Sequence, residues 1–199
     1  MTKELYQPRL ILGSSSDFRV KLLAQIGYVP NEIYSPDIDE SVRRGELPNK
    51  LAARLALEKA QRVRDVFPND IVLAADTVAA CGRLTLPKAM TEEEARFCLS
   101  KLSGRRHRVY TGVCGIYKDR IIHKLGQTRV KFKRFSEQEI ELFINSKQWY
   151  AKAGGYGIQG LAACFVSWLS GSDISNIAGL PLYETYLILS SFGIYPSFR

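Results

Sequence analysis

The chain has 199 residues, a formal net charge of +8, and a composition of 46% hydrophobic and 24% charged residues. These values are typical of a globular protein that buries a core without disulfides or structural metals, and we expect one domain over residues 1–199. No apolar run is long enough to cross a bilayer. The first residues, Met1 to Leu5, lack the apolar stretch of a secretory signal. We therefore predict a cytoplasmic protein without a membrane partner.

The positive charge predicts an anionic partner without identifying it, because nucleic acid, a membrane surface and a polyphosphate are all anionic. The basic residues are scattered and form neither a disordered arm nor a continuous stripe on one helix. The cysteines are far apart in the chain, at Cys81, Cys98, Cys114 and Cys164. Their spacing, in a chain with only two histidines, favours free thiols over a zinc site.

Apolar periodicity and turn residues predict an alternation of strands and helices in the first part of the chain. In order, they predict a strand at 9–12, a small-residue loop at 13–16, a helix at 18–26, an acidic loop or short strand at 36–40, a helix at 48–66 and a buried strand at 71–75. The proline at the start of the fifth segment, Pro48, suits the first turn of a helix.

The second part of the chain continues the same alternation. In order, the pattern predicts a helix at 91–102, two antiparallel strands at 107–117 and 121–135, a helix at 136–146, a flexible glycine loop at 154–157 and a closing helix within 179–191. Two of these helices begin with capping boxes, Thr91 with Glu94 and Ser136 with Glu139. The predicted fold is α/β, a mixed twisted sheet with flanking helices in two lobes around a central cleft.

The loop at residues 13–16, Gly-Ser-Ser-Ser, separates the first predicted strand from its helix. Backbone N–H groups and hydroxyls in such a turn point the same way as the positive end of the helix dipole, which favours anion binding. Arg19 can add a bidentate contact to a phosphate, and Ser14 is the other candidate. The loop lacks the Gly-Lys-Ser/Thr of a Walker motif. An ordinary capped turn is the competing interpretation.

Asp76 follows a buried strand, at the end where open α/β sheets place their active sites. The preceding alanines, Ala74 and Ala75, leave its carboxylate partly desolvated, as suits a general base. On spacing alone, a turn or cap aspartate is an equal alternative. Glu40 could join Asp76 in holding a divalent cation, which takes oxygen ligands.

Other residues could complete an anion site. Lys59, Lys88 and Lys152 could each neutralise phosphate charge in a transition state, although each taken singly is more often a surface charge. Gln159 lies in a glycine-dense segment at 154–160, where the backbone can approach a ligand closely. Its amide offers a donor and an acceptor for the edge of a nucleobase. A glycine-rich turn between strands is the alternative.

Together these segments resemble the Maf family of nucleotide pyrophosphatases over nearly the whole chain. The motifs that carry the resemblance are, in order, Leu10-Ile11-Leu12-Gly13-Ser14-Ser15-Ser16 with Arg19, Asp37-Ile38-Asp39-Glu40, Glu58-Lys59-Ala60, Ala75-Asp76-Thr77-Val78, Leu102-Ser103-Gly104 with His107, Tyr156-Gly157-Ile158-Gln159-Gly160 and Gly179-Leu180-Pro181-Leu182. Each motif is weak alone, and their common order makes the resemblance specific. It implies an inosine triphosphatase-like fold in two lobes, an active cleft between them, and a homodimer.

The resemblance also implies an activity, which is hydrolysis of nucleoside triphosphates between the α and β phosphates to give the monophosphate and pyrophosphate. Asp76 matches the family's proton acceptor, which activates water for attack on the α-phosphorus. The substrate-binding groups of the family match Ser14, Arg19, Glu40, Lys59 and Lys88. Family members need a divalent cation, magnesium or manganese, and the sequence does not identify its ligands.

Two positions depart from the family pattern. Phe18 replaces an arginine of the dTTP/UTP-cleaving branch or a tryptophan of the 7-methyl-GTP branch. Thr77 and Gln159 match the dTTP/UTP branch, so we predict dTTP, UTP or modified pyrimidine nucleotides as substrates, with 7-methyl-GTP as the alternative. Many members place a lysine before Pro87, where this chain has leucine. We expect Lys88, on the other side of the proline, to supply that charge.

The main alternative is a non-catalytic nucleic-acid-binding or septum-associated regulatory protein, which the charge of +8 would favour. The sequence contains no motif of aromatic and basic residues like that of RNA-recognition domains, which would support this alternative. We therefore expect a nucleoside triphosphate, and not nucleic acid, as the partner. A house-cleaning role on modified nucleotides would keep the same chemistry. A P-loop NTPase that releases phosphate is disfavoured by the missing lysine motif.

Overall fold

The computed structural model describes residues 7–198, so Met1 to Leu5, on which the secretory-signal prediction rests, lie outside the described residues. The elements are β1 (Leu10–Gly13), α1 (Asp17–Gln25), β2 (Glu32–Ile33), α2 (Pro48–Val66), β3 (Ile71–Cys81), β4 (Leu84–Leu86), β5 (Lys88–Ala89), α3 (Glu92–Leu102), β6 (Arg106–Tyr117), β7 (Arg120–Phe132), α4 (Glu137–Asn145), β8 (Lys152–Ala153), a 3₁₀ helix (Leu161–Phe165), β9 (Val166–Gly171), α5 (Ile174–Ala178) and α6 (Leu182–Ser191). None of the helices in this part of the chain has the length and apolarity to span a membrane.

The main sheet is mixed. Six strands lie in the order β2-β1-β3-β6-β7-β9, and β4 adds a seventh beside β3. β1 runs parallel to β2 and β3, whereas the other neighbouring strands run antiparallel. β5 and β8 form a separate two-stranded sheet. The predicted α/β class, with a mixed sheet and flanking helices, is confirmed.

One edge of β3 is interrupted in the middle. β1 pairs with the first part of β3, as far as Gly13 opposite Ala74, and β4 pairs with the last part from Ala79 onward. Among the described pairings, residues 75–78 therefore have no strand on this edge, while β6 continues along the other. Asp76 and Thr77 lie in this interruption, which is called the β3 gap below.

The prediction that the strand ends at residue 75 is wrong, because β3 continues to Cys81. β6 pairs with β3 without a break from Val72 to Ala80. This long ladder provides hydrogen-bond partners on the β6 edge for the backbone before and after Asp76 and Thr77. Two polar side chains in a row therefore do not end the strand. Long-range pairing overrides the local pattern here.

The protein has two lobes that share β3 and β6, each with its own buried core. In the first lobe, α2 packs on one face of the sheet through residues such as Ala56 and Val63. α6 and β1 bury a second cluster around Leu12, Leu73 and Leu189. The core of the second lobe is rich in aromatic side chains, which are Phe132, Phe135, Phe143, Trp149, Tyr156 and Phe165. The predicted arrangement in two lobes is therefore observed.

The predicted bounds of α2 and both predicted capping boxes are confirmed. α2 begins at Pro48 and ends at Val66 as predicted, and both predicted capping boxes form, at the starts of α3 and α4. The glycine loop predicted to be flexible is instead packed. Gly154 and Gly155 are buried at positive φ, and an added Cβ at Gly154 would lie 2.7 Å from that of Ala79. These glycines are needed for close packing in the second lobe.

Candidate active site

A cleft of about 460 Å³ opens at the β3 gap, between the two lobes. Its size falls in the range of small-molecule sites in proteins. One wall comes from the loop before α1 and from α2, and the other from β5, β8 and the segment that follows β8. The charged side chains among its lining residues are Asp17, Arg19, Glu40, Lys59, Lys88 and Lys152. Four cations against two carboxylates make the cleft suited to an anion.

The loop after β1 forms one end of the cleft. Ser14 is buried, and its hydroxyl oxygen accepts hydrogen bonds from the Ser16 amide at 3.2 Å and from Arg19 Nη1 at 2.7 Å. Arg19 Nε donates to the Gly179 carbonyl oxygen at 2.8 Å. Desolvation lowers the pKa of the Arg19 guanidinium, against the charges of Asp76 and Glu40. The predicted pair, Ser14 and Arg19, thus lies together at the start of α1.

Lys59 joins two carboxylates at the centre of the site. It extends from the buried face of α2, and its Nζ lies 2.6 Å from Asp76 Oδ1 and 2.6 Å from Glu40 Oε1. Asp76 is only 2% exposed and is not among the residues that line the cleft. The carboxylate predicted to be the catalytic base therefore lies one layer below the cleft surface, behind Lys59.

Glu40 connects Lys59 to the opposite wall. Lys88 Nζ contacts the second oxygen of Glu40 at 2.5 Å. Burial opposes ionisation of Glu40, but hydrogen bonds from Lys59 and Lys88 outweigh it and lower the pKa of Glu40 to about 2. Glu40 is therefore an anion at neutral pH. Lys88 lines the cleft although it follows the proline instead of preceding it.

Phe18 and Gln159 lie at the outer end of the cleft. Lys152 Nζ lies 4.7 Å from the centre of the Phe18 ring, a cation–π contact that joins the two walls. Phe18 and Gln159 also line a second, shallower depression between α1 and α5. Gln159 is exposed, so its amide is accessible to a ligand. Of the three predicted specificity residues, Phe18 and Gln159 share this end, whereas Thr77 lies deeper.

The sequence assigned no role in the site to two groups that help to build it, although Gly179 belongs to a motif of the family resemblance. The Gly179 carbonyl holds Arg19, and the Thr111 hydroxyl lies 3.0 Å from that of Thr77. Gly179 ends α5 with φ of 115°, a left-handed conformation that favours glycine. A glycine can indicate a helix end, but the five-residue helix that precedes Gly179 has too few positions to show periodicity.

The fold and the cleft together define a class, an α/β protein with a cationic cleft at a break in its central sheet. The sequence profile of the Maf-like protein family matches residues 9–192, and the chain belongs to this family.

Relatives extend over almost the full chain. A dTTP/UTP pyrophosphatase of Caulobacter vibrioides is 50% identical over 190 residues, 95% of this chain and 98% of that protein. A nucleoside triphosphate pyrophosphatase of Anaplasma marginale is 50% identical over 184 residues, 92% of this chain and 93% of that protein. A dTTP/UTP pyrophosphatase of Novosphingobium aromaticivorans is 47% identical over 188 residues, 94% and 93% of the two chains.

Among solved structures, a HAM1 protein from Coxiella burnetii aligns with a TM-score of 0.45 at 15% identity, covering 65% of this chain and 75% of that chain. This similarity is too low to support a conclusion about fold or activity.

Proposed function

We propose that the protein is a nucleoside triphosphate pyrophosphatase that cleaves between the α and β phosphates and releases the monophosphate and pyrophosphate. The observation that carries the proposal is the position of Lys59 in the β3 gap, between Asp76 and Glu40 and beside the Ser14 and Arg19 loop. Cations for a polyphosphate thus line one cleft, and a carboxylate for a water molecule lies directly beneath its surface, behind Lys59. The activities printed for relatives of about 50% identity support the same reaction.

In this proposal the triphosphate lies along the cationic wall. Arg19 and the N–H groups at the start of α1 hold one part of the chain of phosphates, and Lys88 holds another. The negative substrate attracts Lys59 from Asp76 toward the phosphates, because a triphosphate carries more negative charge than the two carboxylates that hold Lys59. Asp76 then accepts a proton from the attacking water as the oxygen–phosphorus bond to the α-phosphorus forms, and pyrophosphate leaves.

A divalent cation fits the same place. Glu40 and Asp76 direct oxygens to one point, now held by Lys59. Within residues 7–198, no three His, Cys, Asp or Glu side chains cluster so that they could hold a metal by themselves. Magnesium typically binds through one or two carboxylates plus substrate phosphates, so we propose these two ligands for magnesium or manganese. When bound, the ion would neutralise charge on the phosphates.

We propose pyrimidine triphosphates, dTTP and UTP, or modified pyrimidine nucleotides as the preferred substrates. The exposed amide of Gln159 can read the edge of a base, and the Phe18 ring offers a stacking surface at the same end of the cleft. Two of the relatives carry the name dTTP/UTP pyrophosphatase. The alternative substrate is 7-methyl-GTP, since Phe18 is aromatic like the tryptophan of that branch.

The continuous match from residue 9 to residue 192 supports a single domain over the chain. The cytoplasmic location and the homodimer stay predictions of the sequence.

The decisive experiment is product analysis on a panel of triphosphates with magnesium, comparing the native chain with Asp76→Asn. Asparagine keeps the shape but accepts no proton at neutral pH, so turnover is expected to fall about 10²- to 10⁴-fold. Asp65→Asn is the matched control, because Asp65 is an exposed aspartate at the surface of α2. Chelation of the metal is expected to abolish pyrophosphate release by the native chain.

If no triphosphate yields pyrophosphate, or if Asp76→Asn is fully active, the catalytic assignment is wrong. Salt-sensitive binding to duplex DNA without turnover would then favour the nucleic-acid-binding alternative.

A further inference from the structure

Four cations gather on one face of the main sheet, outside the cleft. Directly opposite residues of an antiparallel pair lie on the same face. Arg106 of β6 lies opposite Lys131 of β7, and Arg108 lies opposite Arg129. Alternate residues along the same strands, such as Val130, point into the aromatic core of the second lobe. The four cations, called the cationic face below, therefore lie on the other side of the sheet from that core.

β9 adds an aromatic ring to the cationic face. Trp168 lies opposite Lys131, and the Arg106 guanidinium lies 5.0 Å from the centre of the Trp168 ring. Arg106 thus reaches across β7, and the ring and the guanidinium are on the same face. Trp168 is 39% exposed. A ring that is held by a cation and open to solvent is a surface on which a nucleobase can stack.

No acid neutralises the cationic face. Within residues 7–198, none of its four cations forms an ion pair, whereas Arg54 and Arg96 each pair with two glutamates. The other residues in register with Arg108 and Arg129 are uncharged, namely Ala80, Thr85 and Ser170. Like charges directly opposite each other destabilise a sheet. A bound polyanion would remove this repulsion, so the face is complementary in charge to such a partner.

The cationic face is separate from the proposed active site. None of its four cations is among the residues that line the cleft. It continues the face of β6 that α2 covers as far as Tyr110, which packs against Leu51 and Leu55. Beyond this point three of the cations are exposed, and Arg108 is half-buried. A ligand can therefore lie on the cationic face without entering the cleft.

We propose that the cationic face binds single-stranded nucleic acid, in addition to the hydrolysis proposed for the cleft. The cations contact phosphates and the Trp168 ring takes a base, groups that RNA and DNA share. A single strand can turn its unpaired bases toward the ring, whereas a duplex keeps them stacked inside. A membrane is disfavoured, because Trp168 alone gives the described rows too little apolar surface for insertion. The sequence indicated no such site, since Arg108 and Arg129 meet only in the sheet.

The test is fluorescence anisotropy of a labelled thymidine oligonucleotide of about 20 nucleotides, titrated with the full chain at several salt concentrations. Arg108→Ala/Arg129→Ala is expected to bind about tenfold more weakly. Its slope of log affinity against log salt should flatten by about 1.4, because each phosphate contact of a single strand contributes about 0.7. Trp168→Leu is expected to bind about tenfold more weakly with the native slope, since it loses stacking and no charge.

The control variant removes the same charge elsewhere. Arg62→Ala/Lys124→Ala changes exposed positions on α2 and on β7, where Lys124 lies opposite Val113 on the other face of the sheet. Its affinity is expected to stay within about twofold of the native value. Circular dichroism checks the fold of each variant, and Arg106→Gln/Lys131→Gln replaces the first pair if that pair does not fold.

Three results would overturn the proposal. The first is native affinity in the variants of the cationic face, and the second is an equal loss in the control. The third is tighter binding to a duplex of the same length than to the single strand. Vesicles of phosphatidylserine and phosphatidylcholine serve as the membrane probe. If they bind the native chain and the oligonucleotide does not, the face belongs to a membrane and the proposal is wrong.

Turnover separates the cationic face from the cleft. Arg108→Ala/Arg129→Ala is expected to keep kcat/KM for dTTP within about twofold of the native value, and Lys88→Ala to keep the oligonucleotide affinity within about twofold. Loss of oligonucleotide binding in Lys88→Ala would show that the strand lies in the cleft, against the proposal. If the native chain hydrolyses no triphosphate, the proposed function fails, while the oligonucleotide titration still decides what the cationic face binds.

Discussion

Lys59 meets carboxylates from two distant parts of the chain. Its ammonium is shared by Asp76 on β3 and by Glu40 in the loop before α2. The sequence nominated all three residues as candidates, and the family resemblance assigned them to one site, because a charged residue taken singly is more often a surface charge. It did not predict that Lys59 covers Asp76, since that contact depends on how α2 lies across the β3 gap. The residues of the site could be predicted, whereas the burial of Asp76 behind Lys59 could not.

Lys88 is predicted to act on substrate binding. Lys88→Ala removes a cation from the cleft and one of the two lysine partners of Glu40, so the pKa of Glu40 is expected to rise from about 2. We expect KM for triphosphates to increase about 10- to 100-fold, with a smaller change in kcat, because a hydrogen bond to a charged group contributes about 1.5–3 kcal/mol. Steady-state kinetics at neutral pH measures both constants. Lys50→Ala, at an exposed position of α2, is the control, and unchanged kinetics in Lys88→Ala would remove Lys88 from the site.

Phe18 is predicted to contribute to base binding alone. Phe18→Leu removes the aromatic ring, and a lost stacking contact of about 1–3 kcal/mol would lower kcat/KM for dTTP and UTP roughly tenfold or more. Tripolyphosphate affinity is expected to stay within about twofold. Phe97→Leu, at an exposed position of α3, is the matched control. Equal losses for the nucleotide and for tripolyphosphate would show that Phe18 supports the loop and does not contact the base.

At the scale of elements, the contact between α2 and the sheet places Lys59. Gly112 of β6 lies opposite Asp76, and α2 crosses above it so closely that an added Cβ would lie 2.3 Å from the Ala52 carbonyl oxygen. α2 itself could be predicted, from its length, periodicity and N-terminal proline. The sequence did not predict β5, β8 and α5, because elements of only two to five residues form where another part of the fold already packs against them.

Gly112→Ala is predicted to destabilise the fold by about 3 kcal/mol, because the added methyl group meets backbone atoms that cannot rotate away. Activity is expected to fall more than the folded fraction does, since a displaced α2 also moves Lys59. Denaturant unfolding and kcat/KM measure the two effects. Gly157→Ala is the control for stability alone, because its methyl group would meet the exposed Gln159 side chain, at 3.3 Å, and no backbone. Equal stability of the two variants would contradict the close packing of α2.

At the scale of the whole molecule, the core of the second lobe contains a buried pair of titratable side chains, His107 and Tyr156. His107 Nε2 lies 2.7 Å from the Tyr156 hydroxyl, inside the aromatic core. Burial lowers the pKa of His107 from 6.5 to about 4. The folded protein therefore keeps the His107 ring neutral. Because the unfolded chain binds the proton more readily, protonation of His107 favours unfolding.

The stability of the protein is predicted to depend on this histidine in acid. Since the folded pKa is below the unfolded pKa, the full contribution is present above about pH 6.5 and is lost as the pH falls toward 4. Between pH 7 and 4.5 the native protein is expected to lose about 2 kcal/mol more unfolding free energy than His107→Gln does. Denaturant titrations at the two pH values test this. His123→Gln, at an exposed position of β7, should behave like the native protein; a loss in the native protein that matches that of His107→Gln would contradict the assignment.

The alternation of side chains along β3 has a further consequence. Asp76 points to the face covered by α2, and the next residue, Thr77, points to the face covered by α5. Inserting or deleting one residue earlier in β3 would exchange these directions and send the threonine toward Lys59 and the carboxylate toward Asn176. Surface loops generally tolerate insertions, whereas a one-residue change in β3 between its pairing with β1 and the gap is expected to misplace both side chains. The position of Asp76 two residues after the last β1 pairing, at Ala74, therefore sets which face of the sheet receives the carboxylate.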